Sequence, residues 1–218
     1  PNGSPYYRGK LDVRLNLMVS RVVASGLPLI YLNLTGGQDD QIFDGCSFAL
    51  NPGGELAAML PMFEESVTEL TLNRTDKGWR IAESVKSKVP DQLEADYHAM
   101  TIALRDYCAK SGFSKVLLGL SGGVDSALVA TIAADALGAE NVRCIMLPSE
   151  YTSDESLSDA KDMAENLGCR YDYLPIAEGR AAITNTLAPL FEGTNPDLTE
   201  ENIQSRLRGL LLMAVSNK

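Results

Sequence analysis

Between residues 115 and 176, short apolar runs alternate with helical stretches, and no other feature of the chain restricts its fold as tightly. Residues 115–120, 142–147 and 171–176 read as strands, and residues 125–137 as a helix. Thr152 with Glu155 reads as a capping box. It opens a second helix whose buried face is Leu157, Ala160, Met163, Ala164 and Leu167, and Gly168 ends it. Strand–helix–strand–helix–strand at this spacing calls for an α/β domain with a parallel sheet and right-handed crossovers. In such sheets ligands bind beyond the carboxyl ends of the strands. The loop after Leu120 is therefore the place to look for chemistry.

The first half has a different rhythm. Residues 11–25 place Leu11, Leu15, Met18 and Val22 at helical spacing, and Gly26 and Pro28 stop the pattern. Leu29-Ile30-Tyr31-Leu32 reads as a buried strand, followed by a polar loop, Thr35-Gly36-Gly37-Gln38-Asp39-Asp40. Residues 46–50 and 55–60 flank the turn Asn51-Pro52-Gly53-Gly54 and read as a hairpin. From Glu64 to Leu93 the pattern turns loose and polar, with breaks at Asp76-Lys77-Gly78 and Val89-Pro90-Asp91. That stretch is the expected linker. A helix over 97–109 follows, with Tyr97, Met100, Ala103, Leu104, Tyr107 and Cys108 along one face.

Charge and cysteine usage exclude several function classes. Nineteen Lys and Arg against 29 Asp and Glu give a formal charge of -10, which argues against a broad nucleic-acid footprint. Four scattered cysteines and one histidine, His98, are a poor basis for a zinc site or a disulfide framework. No apolar run approaches the roughly 20 residues of a membrane span. The chain opens without an initiator Met and stops on an apolar helical pattern. The expectation is an internal fragment of a longer cytoplasmic protein, with no nucleic-acid or membrane partner.

The loop is Gly119-Leu120-Ser121-Gly122-Gly123-Val124-Asp125-Ser126, running from strand into helix. Adjacent glycines let backbone N–H groups converge on an anion with no β-carbon in the way. The helix that follows adds the positive end of its dipole. Ser121 and Ser126 supply hydroxyls. Asp125 is unfavourable beside phosphate unless a cation sits between them, so it points to Mg²⁺. The chain has no G-x-x-x-x-G-K-[ST] and no G-x-G-x-x-G.

Ser121-Gly122-Gly123-Val124-Asp125-Ser126 resembles the SGG-x-DS pyrophosphate loop of the ATP pyrophosphatases, which split ATP between its α- and β-phosphates. The resemblance implies ATP binding by Gly119, Leu120, Ser121, Gly122, Gly123, Val124, Asp125 and Ser126, with Asp125 on Mg²⁺. Leu147-Pro148-Ser149-Glu150-Tyr151-Thr152-Ser153 resembles the loop beside the adenine site of NAD synthetases. Glu201-Asn202-Ile203-Gln204-Ser205-Arg206-Leu207-Arg208 resembles that family's E-N-[IV]-Q-x-R-x-R helix, which implies deamido-NAD contacts for Asn202 and Arg206. Taken alone, Arg206 and Arg208 read as a solvated helix face with i,i+4 partners.

Asn2-Gly3-Ser4-Pro5-Tyr6-Tyr7-Arg8-Gly9-Lys10 and the segment from Gly36 to Gly45 are similar to the nitrilase-type glutaminase domain of glutamine-dependent NAD synthetases. The match implies L-glutamine binding by Ser4 and Lys10, and a hydroxyl and a cation suit the charged ends of an amino acid. Lys10 by itself reads as a solvated surface side chain. The family's Glu–Lys–Cys triad lies upstream of the matching segment, so no catalytic residue is assigned here. Cys46 and Cys108 are not candidates to replace it.

The implied fold is the C-terminal part of a nitrilase-like α-β-β-α domain over 1–70, a linker over 71–96, and the first half of a doubly wound parallel-sheet ATP pyrophosphatase domain over 97–218. The implied activity is that of a homo-oligomeric ligase: ATP adenylates deamido-NAD, and ammonia from glutamine converts the product to NAD. Another glutamine-fed ATP pyrophosphatase is the alternative enzyme, separable by turnover of XMP or aspartate. A non-catalytic nucleotide-binding module is the alternative from outside enzymes.

Overall fold

The computed structural model describes residues 1–195 and 197–218, in two compact units, Pro1–Ser111 and Gly112–Lys218. In the first unit, helix α1 (Lys10–Ser25) ends at Gly26, whose φ of 69° closes it in the left-handed conformation. Strands β1 (Leu29–Tyr31), β4 (Phe48–Leu50) and β5 (Leu56–Met59) form an antiparallel sheet in the order β1-β4-β5. The apolar stripe of α1 packs Leu11, Leu15 and Met18 against a core of Val22, Tyr31, Cys46, Phe48, Leu50 and Met59. Within that core the Tyr31 and Phe48 rings stack at 4.9 Å.

Four expectations for this unit change. Strand β1 is not buried throughout, because it is an edge strand with Ile30 and the following Leu32 more than half exposed. The supposed polar loop at 35–40 is half of a β-hairpin, β2 (Thr35–Gln38) and β3 (Gln41–Asp44), turning at Asp39 with φ 54°. The stretch 71–96 contains a second hairpin, β6 (Leu72–Thr75) and β7 (Gly78–Ile81), and the start of a helix. Buried Asn51 pins that hairpin: its Nδ2 donates to Ile81 O at 3.0 Å, and its Oδ1 accepts from Ile81 N at 2.8 Å.

The fourth change concerns helix α2 (Gln92–Ser111), which buries Ala95, Ala99, Ile102 and Cys108, while Met100 and Tyr107 stay exposed. Ala95, Ala99 and Ile102 pack against Phe63, and farther along the helix Ala103 and Asp106 lie over the glycine backbone of β2. A β-carbon on Gly37 would stand 3.4 Å from Ala103 Cα. Asp106 Oδ2 accepts from Gly37 N at 2.7 Å, and Lys110 Nζ donates to Gly37 O. By packing, α2 belongs to the first unit, which ends at Ser111.

The second unit matches the expected rhythm. Strands β8 (Val116–Gly119), β9 (Val142–Met146) and β10 (Arg170–Tyr173) form a parallel sheet in the order β10-β9-β8, with Leu118 beside Cys144 and Cys144 beside Tyr171. Helices α3 (Val124–Leu137) and α4 (Asp154–Leu167) connect the strands. Two further helices are α5 (Ala177–Leu187) and α6 (Leu198–Ser216). The core joins Ile145, Leu147, Ile176 and Leu207. The cap of α4 is Ser153, whose hydroxyl accepts from Ser156 N at 3.2 Å. Thr152 instead accepts from Ser149 N, so the expected Thr152–Glu155 box does not form. Among the described residues no helix is long and apolar enough to cross a membrane.

Candidate functional site

The loop leaves the sheet at Leu120, which is buried and donates its N–H to Ile145 O at 2.9 Å. Two hydroxyls then knit the turn. Ser121 Oγ and Ser126 Oγ lie 3.0 Å apart, Ser126 Oγ donates to Gly123 O at 2.9 Å, and Gly123 N donates to Ser121 Oγ at 3.3 Å. Gly122 has φ 83°, and a β-carbon there would stand 2.4 Å from Ser156 O in the first turn of α4. Gly123 precedes α3 with no side-chain cap. Gly122 therefore lies between the start of α3 and the first turn of α4, near the positive end of each helix dipole.

A cavity of about 340 Å³ opens beside the loop at the carboxyl ends of β8 and β9, lined by Ser121, Met146, Leu147, Thr152, Arg208 and Leu212 among others. Its mostly apolar walls with a few polar groups suit a planar ring such as a nucleobase. Arg208, on α6, donates Nε to Leu147 O at 3.0 Å and borders the cavity. Taken alone Arg208 reads as a solvated helix face; the signal for a site role is its place in the E-N-[IV]-Q-x-R-x-R resemblance. Asn202 and Arg206 are brought together, with Arg206 Nη1 donating to Asn202 Oδ1 at 2.9 Å, but both are exposed and neither lines the cavity.

Asp125 is exposed in the first turn of α3. Among the described residues no group of three or more His, Cys, Asp or Glu side chains could hold a metal by itself. A lone carboxylate still fits Mg²⁺, which is commonly bound through one or two carboxylates, substrate phosphates and water.

In the first unit, Lys10 Nζ donates to Tyr7 OH at 3.1 Å and borders a cavity of about 130 Å³ with Tyr6, Tyr7, Gly9 and Asp44. Ser4 does not line it and is held instead by a polar cluster of Asn33 and Arg14. All four cysteines are free and buried. Burial, with the Asp44 carboxylate nearby, pushes the Cys46 thiol up to about 12, so Cys46 is unsuited to act as a nucleophile.

The family model for NAD synthase matches residues 96–218. Over 218 residues the chain is 59% identical to the glutamine-dependent NAD(+) synthetase of Rhodobacter capsulatus, covering 100% of this chain and 40% of that protein. The glutamine-dependent NAD(+) synthetase of Synechocystis sp. is 43% identical over 217 residues, covering 100% of this chain and 39% of that protein. Among solved structures, glutamine-dependent NAD+ synthetase from Acinetobacter baumannii in complex with adenosine diphosphate matches with a TM-score of 0.92 and 41% identity, over 99% of this chain and 40% of that one. The chain thus spans about 40% of the length of these relatives.

Proposed function

Because the chain belongs to the NAD synthase family, we propose that the full-length protein amidates deamido-NAD to NAD with ATP and glutamine, and that residues 119–126 hold the pyrophosphate of ATP. One observation carries this reading. Gly122, in the left-handed conformation, lies where α3 and α4 begin, beside a cavity at the carboxyl end of the sheet. The Acinetobacter baumannii relative is in complex with adenosine diphosphate, which supports nucleotide binding.

A carboxylate is a poor electrophile until one oxygen becomes a leaving group. In the proposed reaction the nicotinate carboxylate of deamido-NAD attacks the α-phosphorus and pyrophosphate departs. Ammonia then attacks the acyl carbon of the adenylate, AMP leaves, and the amide of NAD remains. The N–H groups of Gly122 and of the first residues of α3 would take up the charge that builds on the departing oxygens. Arg208, at the cavity rim, adds a cation facing the nucleotide. Asp125 would hold Mg²⁺ jointly with the phosphates, where the cation offsets their charge. On the acceptor side, Asn202 and Arg206 would contact deamido-NAD. Ser4 and Lys10 would bind glutamine in the glutaminase part, proposed over 1–70, with the ATP pyrophosphatase part over 97–218.

Asp125→Asn in the full-length enzyme should slow Mg²⁺-dependent pyrophosphate release on the order of 10²-fold while glutamine hydrolysis persists. An unchanged rate of adenylation would remove the role given to Asp125. Asn202→Ala should weaken deamido-NAD by roughly 0.5–1.5 kcal/mol, the range of one neutral hydrogen bond, and ATP by less. Calorimetry with each ligand decides this, since equal losses would indicate a packing defect.

A further inference from the structure

We propose that the buried Arg14–Asp44 pair is a positioning device that presents the Ser4 hydroxyl, as a hydrogen-bond donor, to a ligand carboxylate; this rests on reading Ser4 as a glutamine contact. The pair is nearly sealed from water, with side-chain exposures of 3% for Arg14 and 1% for Asp44. It is bidentate, Nη1 to Oδ2 at 2.9 Å and Nη2 to Oδ1 at 2.8 Å. Buried ion pairs are no more stabilising than well-packed apolar residues of similar volume, so stability alone does not account for this one.

Beyond the pair, Nε and Nη2 of Arg14 both reach the segment around Ser4. Nε donates to Ser4 Oγ at 3.2 Å, and Nη2 donates to Ser4 O at 3.0 Å and to Pro5 O at 3.4 Å. Asn33 completes the grip: its Oδ1 accepts from Ser4 N at 2.9 Å, and its Nδ2 donates to Ser4 O at 3.1 Å and to Asp44 Oδ1 at 3.1 Å. Three atoms of one residue are thus fixed by two side chains, and Asp44 fixes both of those.

The consequence is chemical as well as geometric. A serine hydroxyl carries one proton and two lone pairs. Here Oγ accepts from a guanidinium, a direction that leaves the proton for a partner and strengthens the hydroxyl as a donor. An acceptor-only group answers it best, and a carboxylate is such a group. Lys10 lies one turn before Arg14 on α1, and Asp44 borders the cavity that Lys10 lines.

The test compares Ser4→Ala, Arg14→Lys and the double change Arg14→Met with Asp44→Leu in the full-length enzyme. Lysine keeps the charge but lacks the planar fork, and the double change removes both charges together. The expected result is a glutamine KM raised about ten- to hundredfold in all three, the size of a lost charge-assisted hydrogen bond. NAD formation with ammonium supplied should be unchanged in each. If the double variant fails to fold, Arg14→Lys decides alone. Should Ser4→Ala raise KM while folded Arg14 variants do not, the positioning role is overturned and the glutamine reading stands. Should Ser4→Ala leave KM unchanged, the glutamine reading falls and takes the inference with it. A drop in kcat at constant KM in the Arg14 variants also overturns the positioning role.

Discussion

Replacing Asp44 alone by alanine should lower folding stability by about 3–5 kcal/mol, because it leaves the Arg14 guanidinium buried with no counter-charge. Arg14 is 3% exposed and is enclosed by Asp44 and the Ser4–Pro5 segment. Asn33 Nδ2 loses an acceptor at the same time. The double change Arg14→Met with Asp44→Leu should unfold within about 1 kcal/mol of the parent, since the desolvated charges go together. Urea titrations of the three proteins decide the matter. A single variant no less stable than the double one would show that the guanidinium finds water, and that the pair is not buried in solution.

The second large effect is expected at Gly122. Alanine there would set a β-carbon 2.4 Å from Ser156 O and 2.9 Å from Ser156 Cα, both backbone atoms with no rotamer to move aside. The left-handed φ of 83° adds about 1–2 kcal/mol for any residue with a β-carbon. Overpacking in a tight contact costs a further 1–3 kcal/mol, roughly. Relief requires the loop to part from α4, which would dissolve the proposed pyrophosphate site, and adenylation by the full-length protein should fall by more than about 10²-fold. Gly112 is the control. Its φ is 78°, yet nothing lies within 4 Å of a β-carbon there, so Gly112→Ala should carry the backbone cost alone and keep pyrophosphate release. Equal activity in the two variants would mean the contact with Ser156 is dispensable.

The second unit was legible because its elements are built from near-neighbour information. Apolar strands, an amphipathic α4 and Gly168 at its end all announce themselves in the sequence, and the Ser121–Ser126 loop follows from their order. The 35–44 hairpin was not legible. Its glycines and aspartates read as a loop, and what makes it a hairpin is the partner pairing and the helix laid over it from far along the chain. The inward face of α2 was only partly legible: Cys108 lies inside as expected, but Met100 and Tyr107 are exposed while Ala95, Ala99 and Ile102 are buried against Phe63. Arg14 left no trace at all: an arginine on a helix looks solvated unless its carboxylate, thirty positions away, is known to face it. The rim position of Arg208 likewise depends on a carbonyl in β9's continuation, which no local pattern encodes.

Descent and packing divide this chain at different places. The NAD synthase family model begins at residue 96, inside α2, yet the helix beds on β2 through Gly37, Asp106 and Lys110. Chimaeras between relatives spliced at the sequence boundary would pair one parent's hairpin with another's helix. Any mismatch in side-chain size at Ala103 or Asp106 would then strike bare glycine backbone. Splices placed after Ser111 keep helix and hairpin from one parent. For exchanging segments among such relatives, the structural module therefore ends a helix later than the start of the family match suggests.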